Sequence, residues 1–501
     1  MVMRDSSKGQ PMHMAATGQA TAAKAPAAGG TGKSYKLVYF AVGLVILVGS
    51  IFLPPAAGMK PEAVRAMAVM VTTVLWWVTE TLPIPITALM VPAMVHALRI
   101  IPLGEALRDS FGNPLIPFMV GVLGLAVALS ASGLGKRISY YLLAVIGTNT
   151  SLVVGGYLWI SFVISMFIDD IAVVAMMLPL VLGLLKTVDA KPGSSNFGRA
   201  LMMAIIFGAD IGGICTPAGV SSNVITLAFL NKNANMHVSF LYWTMIATPI
   251  CMVIAAITWW LILRIFPPEI KHLPYGRDVL QRESRALGPW TVKEKTTTVV
   301  FLAAVVLWLT SDLTKLPIAF VSLLILGGIT LPRVGVFDNW RDLNRGLEWG
   351  GVMLVVGGFI VGIAASKSGL ASWAVQRVLH PMALLPGFFQ PLAVTLLMAV
   401  DSLGFSSFGT TASVNVPFII AYAQQHGLPV LALTLTAGFA SSIHFILVTQ
   451  SPSLVLPFAY GYFSFKDLAK IGILVTLVGA VVIDLGMVIA GMPAGVPMVI
   501  K

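Results

Sequence analysis

Ile211-Gly212-Gly213-Ile214-Cys215-Thr216-Pro217-Ala218-Gly219-Val220-Ser221-Ser222-Asn223 breaks an otherwise apolar run with three glycines, one proline and four side chains that carry a hydroxyl or an amide. Such a stretch does not continue as a lipid-facing helix, because proline lacks a backbone donor and hydrocarbon pairs no unwound backbone group. The chain is expected to open here, where protein or water satisfies it. Unwound carbonyls suit cations and the amides of a restarting helix suit anions, with Ser222 or Asn223 as the expected cap. The polar run is longer than a simple kink needs, so a binding role is the expectation.

Three further breaks surround this one. Thr449-Gln450-Ser451-Pro452-Ser453, preceded by Ser441, Ser442 and His444, reads as a shorter counterpart without glycine, and His444 reads as a hydrogen-bonded packing residue. Polar clusters closing on a proline run from Asp169 to Pro179 and from Ser407 to Pro417, 238 residues apart. Ser132-Gly133-Leu134 and Ser368-Gly369-Leu370 end two apolar stretches 236 residues apart, and Trp76 and Trp308 open corresponding segments at an offset of 232. Near-constant offsets indicate duplication. Interrupted hydrophobic segments at matching places in two halves point to a site at the repeat interface.

The chain has 501 residues, of which 57% are apolar and 10% charged, and its mean hydropathy is +0.91. A soluble globular protein is excluded and an all-α polytopic membrane protein is implied. Roughly ten to twelve spans are expected from a hydrocarbon core of about 30 Å. The alternating short segments of a membrane barrel do not occur. Cys215 and Cys251 lie in apolar or interrupted segments and read as packing residues.

The net charge of +11 collects in the N-terminal tail and in loops that flank spans: Arg4, Lys8, Lys24, Lys33 and Lys36, then Lys136 and Arg137, then Lys271, Arg277, Arg282, Arg285, Lys293 and Lys295. This pattern sets topology with the N-terminus and these loops in the cytoplasm, and it forms no stripe suited to nucleic acid. Residues 1–35 read as a disordered tail, 36–266 as a first membrane repeat with an extra N-terminal helix, 267–293 as a cytoplasmic linker and 294–501 as a second repeat. The segment ending at Lys136-Arg137 has an equivalent that begins after Arg333, Arg341 and Arg345, so like features run in opposite directions across the membrane. The expected fold is an inverted repeat with two re-entrant hairpins and two broken helices.

On Trp77-Val78-Thr79-Glu80-Thr81-Leu82-Pro83-Ile84-Pro85-Ile86-Thr87-Ala88-Leu89, the two Ser-Gly-Leu ends, Met176-Met177-Leu178-Pro179, Thr216-Pro217 with Asn223, and Tyr462-Phe463-Ser464-Phe465-Lys466-Asp467, the chain resembles the divalent anion:sodium symporter family of the ion-transporter superfamily from about Tyr35 onward. The resemblance implies eleven spans, two re-entrant hairpins, a homodimer in the bacterial inner (plasma) membrane, an elevator-like motion, and transport of di- or tricarboxylates or sulfate with sodium. Family members place Ser-Asn-Thr at each hairpin tip. This chain has Asp169-Asp170-Ile171 at the first tip and Ser407-Phe408-Gly409 at the second, and the family's Thr-Pro-Pro-Asn becomes Val220-Ser221-Ser222-Asn223 and Gln450-Ser451-Pro452-Ser453.

Acids at membrane depth cost about 2.5 to 3.5 kcal/mol each on insertion scales, so they normally face a cavity and serve a function. Asp169 and Asp170 together would repel a dianion if ionised alone. Either a cation binds beside them, with Asp169 and Asp170 as Na+ ligands, or one carboxyl is protonated. Ser165, Asp169, Asp170, Asp210, Gly212 and Gly213 are the candidates for handling the coupling ion, Na+ or H+. Thr216, Ser221, Ser222, Asn223, Ser406, Ser407, Thr410, Thr411, Thr449, Gln450, Ser451 and Ser453 are the candidates for holding a small anionic substrate. No cofactor and no enzyme chemistry are expected: the sequence has no phosphate loop with its lysine and no nucleophile or metal-ligand spacing. The resulting expectation is a secondary transporter of di- or tricarboxylate, with sulfate-like oxyanions next. Cation/proton antiport and anion exchange remain open beside it.

Overall fold

The computed structural model describes residues 32–138, 141, 147–273, 287–405 and 407–491. The expected tail up to residue 31, the linker arginines Arg277, Arg282 and Arg285, and Ser406 lie outside the described residues. Every regular element among the described residues is helical. Seven helices are long and apolar enough to cross a membrane, and five shorter apolar helices accompany them.

The first half holds α1 (Gly32–Gly49), α2 (Pro61–Val78), α3 (Ile84–Ala97), α4 (Leu103–Phe111), α5 (Leu115–Ser132), α6 (Thr150–Ser165), α7 (Asp170–Thr187), α8 (Asn196–Ile214), α9 (Ser221–Ala234) and α10 (Phe240–Ile265). The second half holds α11 (Val292–Leu309), α12 (Ile318–Ile329), α13 (Trp340–Gly346), α14 (Trp349–Ser368), α15 (Gln390–Asp401), α16 (Phe408–Gln425), α17 (Val430–Ala440), α18 (Pro452–Phe458) and α19 (Phe465–Gly491).

Helix starts follow local chemistry. The side chains of Asn149, Ser195 and Ser239 accept from backbone amides two or three residues ahead, and Thr291 with Glu294 forms a capping box. The two Ser-Gly-Leu motifs are one device used twice. Gly133 (φ +82°) and Gly369 (φ +80°) adopt the left-handed conformation that ends α5 and α14. In each, the serine hydroxyl donates to the carbonyl three residues back at 3.3 Å and accepts from the leucine amide at 3.3 Å.

The two halves exchange elements pairwise. α5 packs on α12 while α3 packs on α14, α9 packs on α16 while α7 packs on α18, and α10 packs on α19. Within each half the first arm of the helical hairpin lies against the first part of the broken helix, α6 on α8 and α15 on α17. Gly208 and Gly212 make the first of these crossings possible, since a Cβ at either would strike the backbone of Leu158 or Phe162.

The equivalence fails at one place. α14 packs on α16, and a Cβ at Gly358 would strike the fully buried Ser413. On the other side a cavity of about 430 Å³ separates α5 from α7 and is lined by Ala126, Ser130, Asp169, Ala172, Ala175 and Glu348, among others. Ala175, 238 residues before Ser413, is exposed in it.

Candidate functional site

The four sequence breaks meet as two half-sites, each built from both halves of the chain. At the tip of the first hairpin, Asp169 precedes α7 and Asp170 is its first residue. The Ile171 amide donates to Asp169 Oδ1 at 3.2 Å and to Asp170 Oδ1 at 2.8 Å. This helix N-terminus is therefore capped by the protein's own carboxylates, where its dipole favours negative charge. Asp170 is buried, and its carboxyl lies beside that of Asp210, also buried, one turn before the end of α8. Asp210 Oδ2 accepts from Ser453 Oγ at 3.1 Å, and Ser453 Oγ also bonds to Ser451 Oγ at 2.8 Å. Asp170 Oδ2 and Asp210 Oδ1 have no hydrogen-bond donor. Asp169 is half-buried and opens toward the cavity with Glu348.

The second half-site is reciprocal in position and opposite in chemistry. The hairpin tip at Ser407 starts α16, and Val220 starts α9; neither helix has a side-chain cap. The two uncapped N-termini abut, since a Cβ at Gly409 would sit 2.8 Å from Ser221 Oγ. Ser222 and Ser442 bond hydroxyl to hydroxyl at 2.8 Å. Ser222 and Ser453, the second residues of α9 and α18, thus each cross to the other half, Ser222 to the start of its break and Ser453 to the last turn of α8. Thr410 and Thr411 are buried on the first turn of α16, and Ser221 and Ser407 are half-buried.

Several expected site residues prove to build the frame. Asn223 Nδ2 donates to the carbonyls of Gly213 (2.9 Å) and Thr216 (2.7 Å), which holds the six-residue break together, while its Oδ1 is buried without a partner. Neither Ser222 nor Asn223 caps α9, because the helix already begins at Ser221, after an extended Val220. Thr216 Oγ1 donates to the Met166 carbonyl and accepts from the Ala218 amide, tying the break to the first hairpin. Ser165 Oγ donates to the Ile168 carbonyl at 3.2 Å. Gly212 and Gly213 remain helical in α8. Gln450 Oε1 accepts from the amides of Ile446 and Leu447, and its Nε2 donates to Ser402 Oγ at 2.9 Å. That side chain replaces the lost helical bonds, so the second break runs from Ser441 to Ser451 and is longer than the first, the reverse of the expectation. Thr449 is exposed, outside both buried clusters. His444 is buried, yet both ring nitrogens lack a hydrogen-bond partner, which corrects its reading as a hydrogen-bonded packing residue.

Residues 34–495 match the family described as "Sodium:sulfate symporter transmembrane region". The chain belongs to that family. It is an integral membrane transporter, as the family and its apolar helices indicate. Among similar proteins is the "Sodium-dependent dicarboxylate transporter SdcS" of Staphylococcus saprophyticus, 27% identical over 485 residues that cover 90% of this chain and 91% of that protein. The protein of the same name from Staphylococcus aureus (strain bovine RF122 / ET3-1) is 26% identical over 452 residues, 85% of each chain. The solved Alcanivorax borkumensis YdaH transporter aligns with a TM-score of 0.54 at 15% identity, over 93% of this chain and 99% of that one, a likeness of fold alone. Within this sodium:sulfate symporter family member, the sequence reading missed Ser402 and gave no role to Ser442 or Glu348. No local pattern marks those roles, since each residue matters through a partner distant in sequence or through the cavity.

Proposed function

We propose that this chain is a secondary active transporter of a small anion, a di- or tricarboxylate first and a sulfate-like oxyanion next, with Na+ as the coupling ion. One observation carries this reading: at two equivalent positions the tips have opposite chemistry. Asp169 and Asp170 fill the helix N-terminus of the first hairpin with fixed negative charge, while the N-termini of α9 and α16 converge without any cap. The first arrangement suits a cation, held by the free oxygens of Asp170 and Asp210 with Ser453 beside them. The second suits an anion, received by backbone amides and the hydroxyls of Ser221, Ser222, Ser407, Thr410 and Thr411. The relatives named as sodium-dependent dicarboxylate transporters support the same pairing of ions.

A second reading for the coupling ion, H+, is favoured by the Asp170–Asp210 pair. A single proton shared between two buried carboxyls supplies the donor that both free oxygens lack. Transport follows an elevator-like path in this reading: the two hairpins are re-entrant and move with the broken helices against the remaining helices, in a homodimer within the bacterial plasma membrane, N-terminus in the cytoplasm. The cavity beside α7, set against the close packing of its equivalent α16, supports a moving unit at one end of its travel. The repeat boundaries at 36–266 and 294–501 with a cytoplasmic linker between them belong to the same proposal.

Uptake of labelled succinate into proteoliposomes tests it. A Na+ gradient, or an acid-outside gradient for H+ coupling, is expected to drive accumulation that Asp170→Asn abolishes. Uptake indifferent to both gradients and to that substitution refutes the coupling. Uptake only against internal anion identifies an exchanger, and a pH change on adding Na+ without carboxylate identifies an antiporter.

A further inference from the structure

The side chain least explained by the frame of the molecule is His444. It lies in the second break, is 1% exposed, and has neither ring nitrogen hydrogen-bonded. A neutral imidazole has one donor and one acceptor. Leaving both unpaired away from water costs about 1 to 3 kcal/mol per group, and an orphan of this kind calls for an explanation, of which a ligand or ion that completes it is one.

The surroundings indicate which partner. The imidazole stands edge-on to Phe408, ring centroids 5.2 Å apart, and Phe408 is the first residue of α16. Two residues before His444, Ser442 bonds to Ser222 in the first turn of α9. The imidazole therefore lies where the uncapped N-termini of α9 and α16 come together, both of which present backbone N–H groups toward negative charge. The two breaks, 211–223 and 441–453, contain no lysine or arginine. A ligand seated there is received by amide and hydroxyl dipoles, and His444 is the one side chain of these breaks that adds a stronger donor.

We propose that His444 is an anion-binding residue: its ring N–H donates to a carboxylate oxygen of the transported anion, seated between the N-termini of α9 and α16. This assignment rests on the reading of that half-site as the anion site.

The test measures succinate, citrate and sulfate binding to the purified full-length protein in nanodiscs, by thermal unfolding and calorimetry. His444→Leu removes two unpaired buried polar atoms, so without ligand it is expected to unfold at the same temperature as wild type or higher. The same variant is expected to bind the preferred anion at least about 10-fold more weakly, the loss of one hydrogen bond to a charged group. His444→Gln keeps an N–H donor of similar reach and is expected to recover most of that affinity, which a purely packing role would not produce. If His444→Leu fails to fold, His444→Met serves the same comparison. Wild-type affinity in the Leu or Met variant overturns the assignment of His444 alone. A wild-type protein that none of the three anions stabilises overturns the anion site itself, and the assignment with it.

Discussion

Replacing Asp210 by Asn probes the cation half-site most directly. The wild-type arrangement buries two neighbouring carboxyls, with the Ser453 hydroxyl donating to Asp210 and the Ile171 amide to Asp170, and leaves Asp170 Oδ2 and Asp210 Oδ1 unpaired. In buffer without a coupling ion this is a destabilised state, because like charges in a dry site repel and the unpaired oxygens lose their hydration. An asparagine at 210 keeps an acceptor for Ser453 and offers an amide donor to Asp170. One hydrogen bond to a charged acceptor contributes about 1.5 to 3 kcal/mol. Sodium at 100 times its dissociation constant stabilises the wild type by about 2.7 kcal/mol. The two effects are of one size. Asp210→Asn in choline buffer is therefore expected to unfold near the temperature of wild type in saturating Na+, and added Na+ should leave it unmoved. Thermal unfolding followed by intrinsic fluorescence, for which the chain has 11 tryptophans, reads both quantities. If H+ is the coupling ion, acidification replaces Na+ in the same comparison. A variant that is less stable than wild type in choline, and that Na+ or acid still stabilises, would refute the argument that a cation sits between these carboxyls.

Three further outcomes follow from other parts of the molecule. Arg137 and Glu294 form a buried ion pair at 2.7 Å, and the guanidinium also reaches the carbonyls of Leu287, Gly288 and Pro289. Arg137→Ala is expected to cost about 3 to 5 kcal/mol in denaturant unfolding, since it leaves Glu294 buried without its partner. Burial alone would raise the Glu294 pKa, but the hydrogen bonds from Arg137 and from the Thr291 amide outweigh it and hold the carboxyl below its ordinary value. Its contribution is thus complete above the unfolded pKa and disappears as pH falls through the lower folded one, a loss on acidification that Glu294→Gln should lack. Cysteines placed at the equivalent positions Ala175 and Ser413 test the proposed elevator motion. A maleimide is expected to label Ala175→Cys in the cavity faster than the buried Ser413→Cys, and a condition that drives the protein to its opposite state should reverse the order. Rates that never exchange would rule out a moving unit that contains both hairpins.

What the sequence conveyed about this molecule depended on the range of the interaction. Helix ends set by contacts within a few residues were legible: Ser132-Gly133-Leu134 and Ser368-Gly369-Leu370 marked two helix ends whose hydrogen bonds proved identical. Paired breaks were legible because polar residues in apolar runs stand out whatever they later touch. The chemistry of each break was not, because it is decided across the repeat. Ser453 finds Asp210 at a separation of 243 residues and Ser222 finds Ser442 at 220. Gln450 and Asn223 looked like ligands for the same reason that Ser453 did, yet both atoms of the Gln450 amide are taken up within the protein, and the Asn223 Nδ2 donates to carbonyls of its own break while its Oδ1 stays unpaired. His444 looked inert because a lone imidazole shows no partner in sequence, and the fold supplies none. The discriminating quantity is the number of polar atoms left over after the backbone of each break has been paired. Where it is zero, as at Gln450, the residue holds the frame. Where it is not, as at Asp170, Asp210, Asn223 and His444, the residue keeps a polar atom free for the ions of the proposed transport cycle.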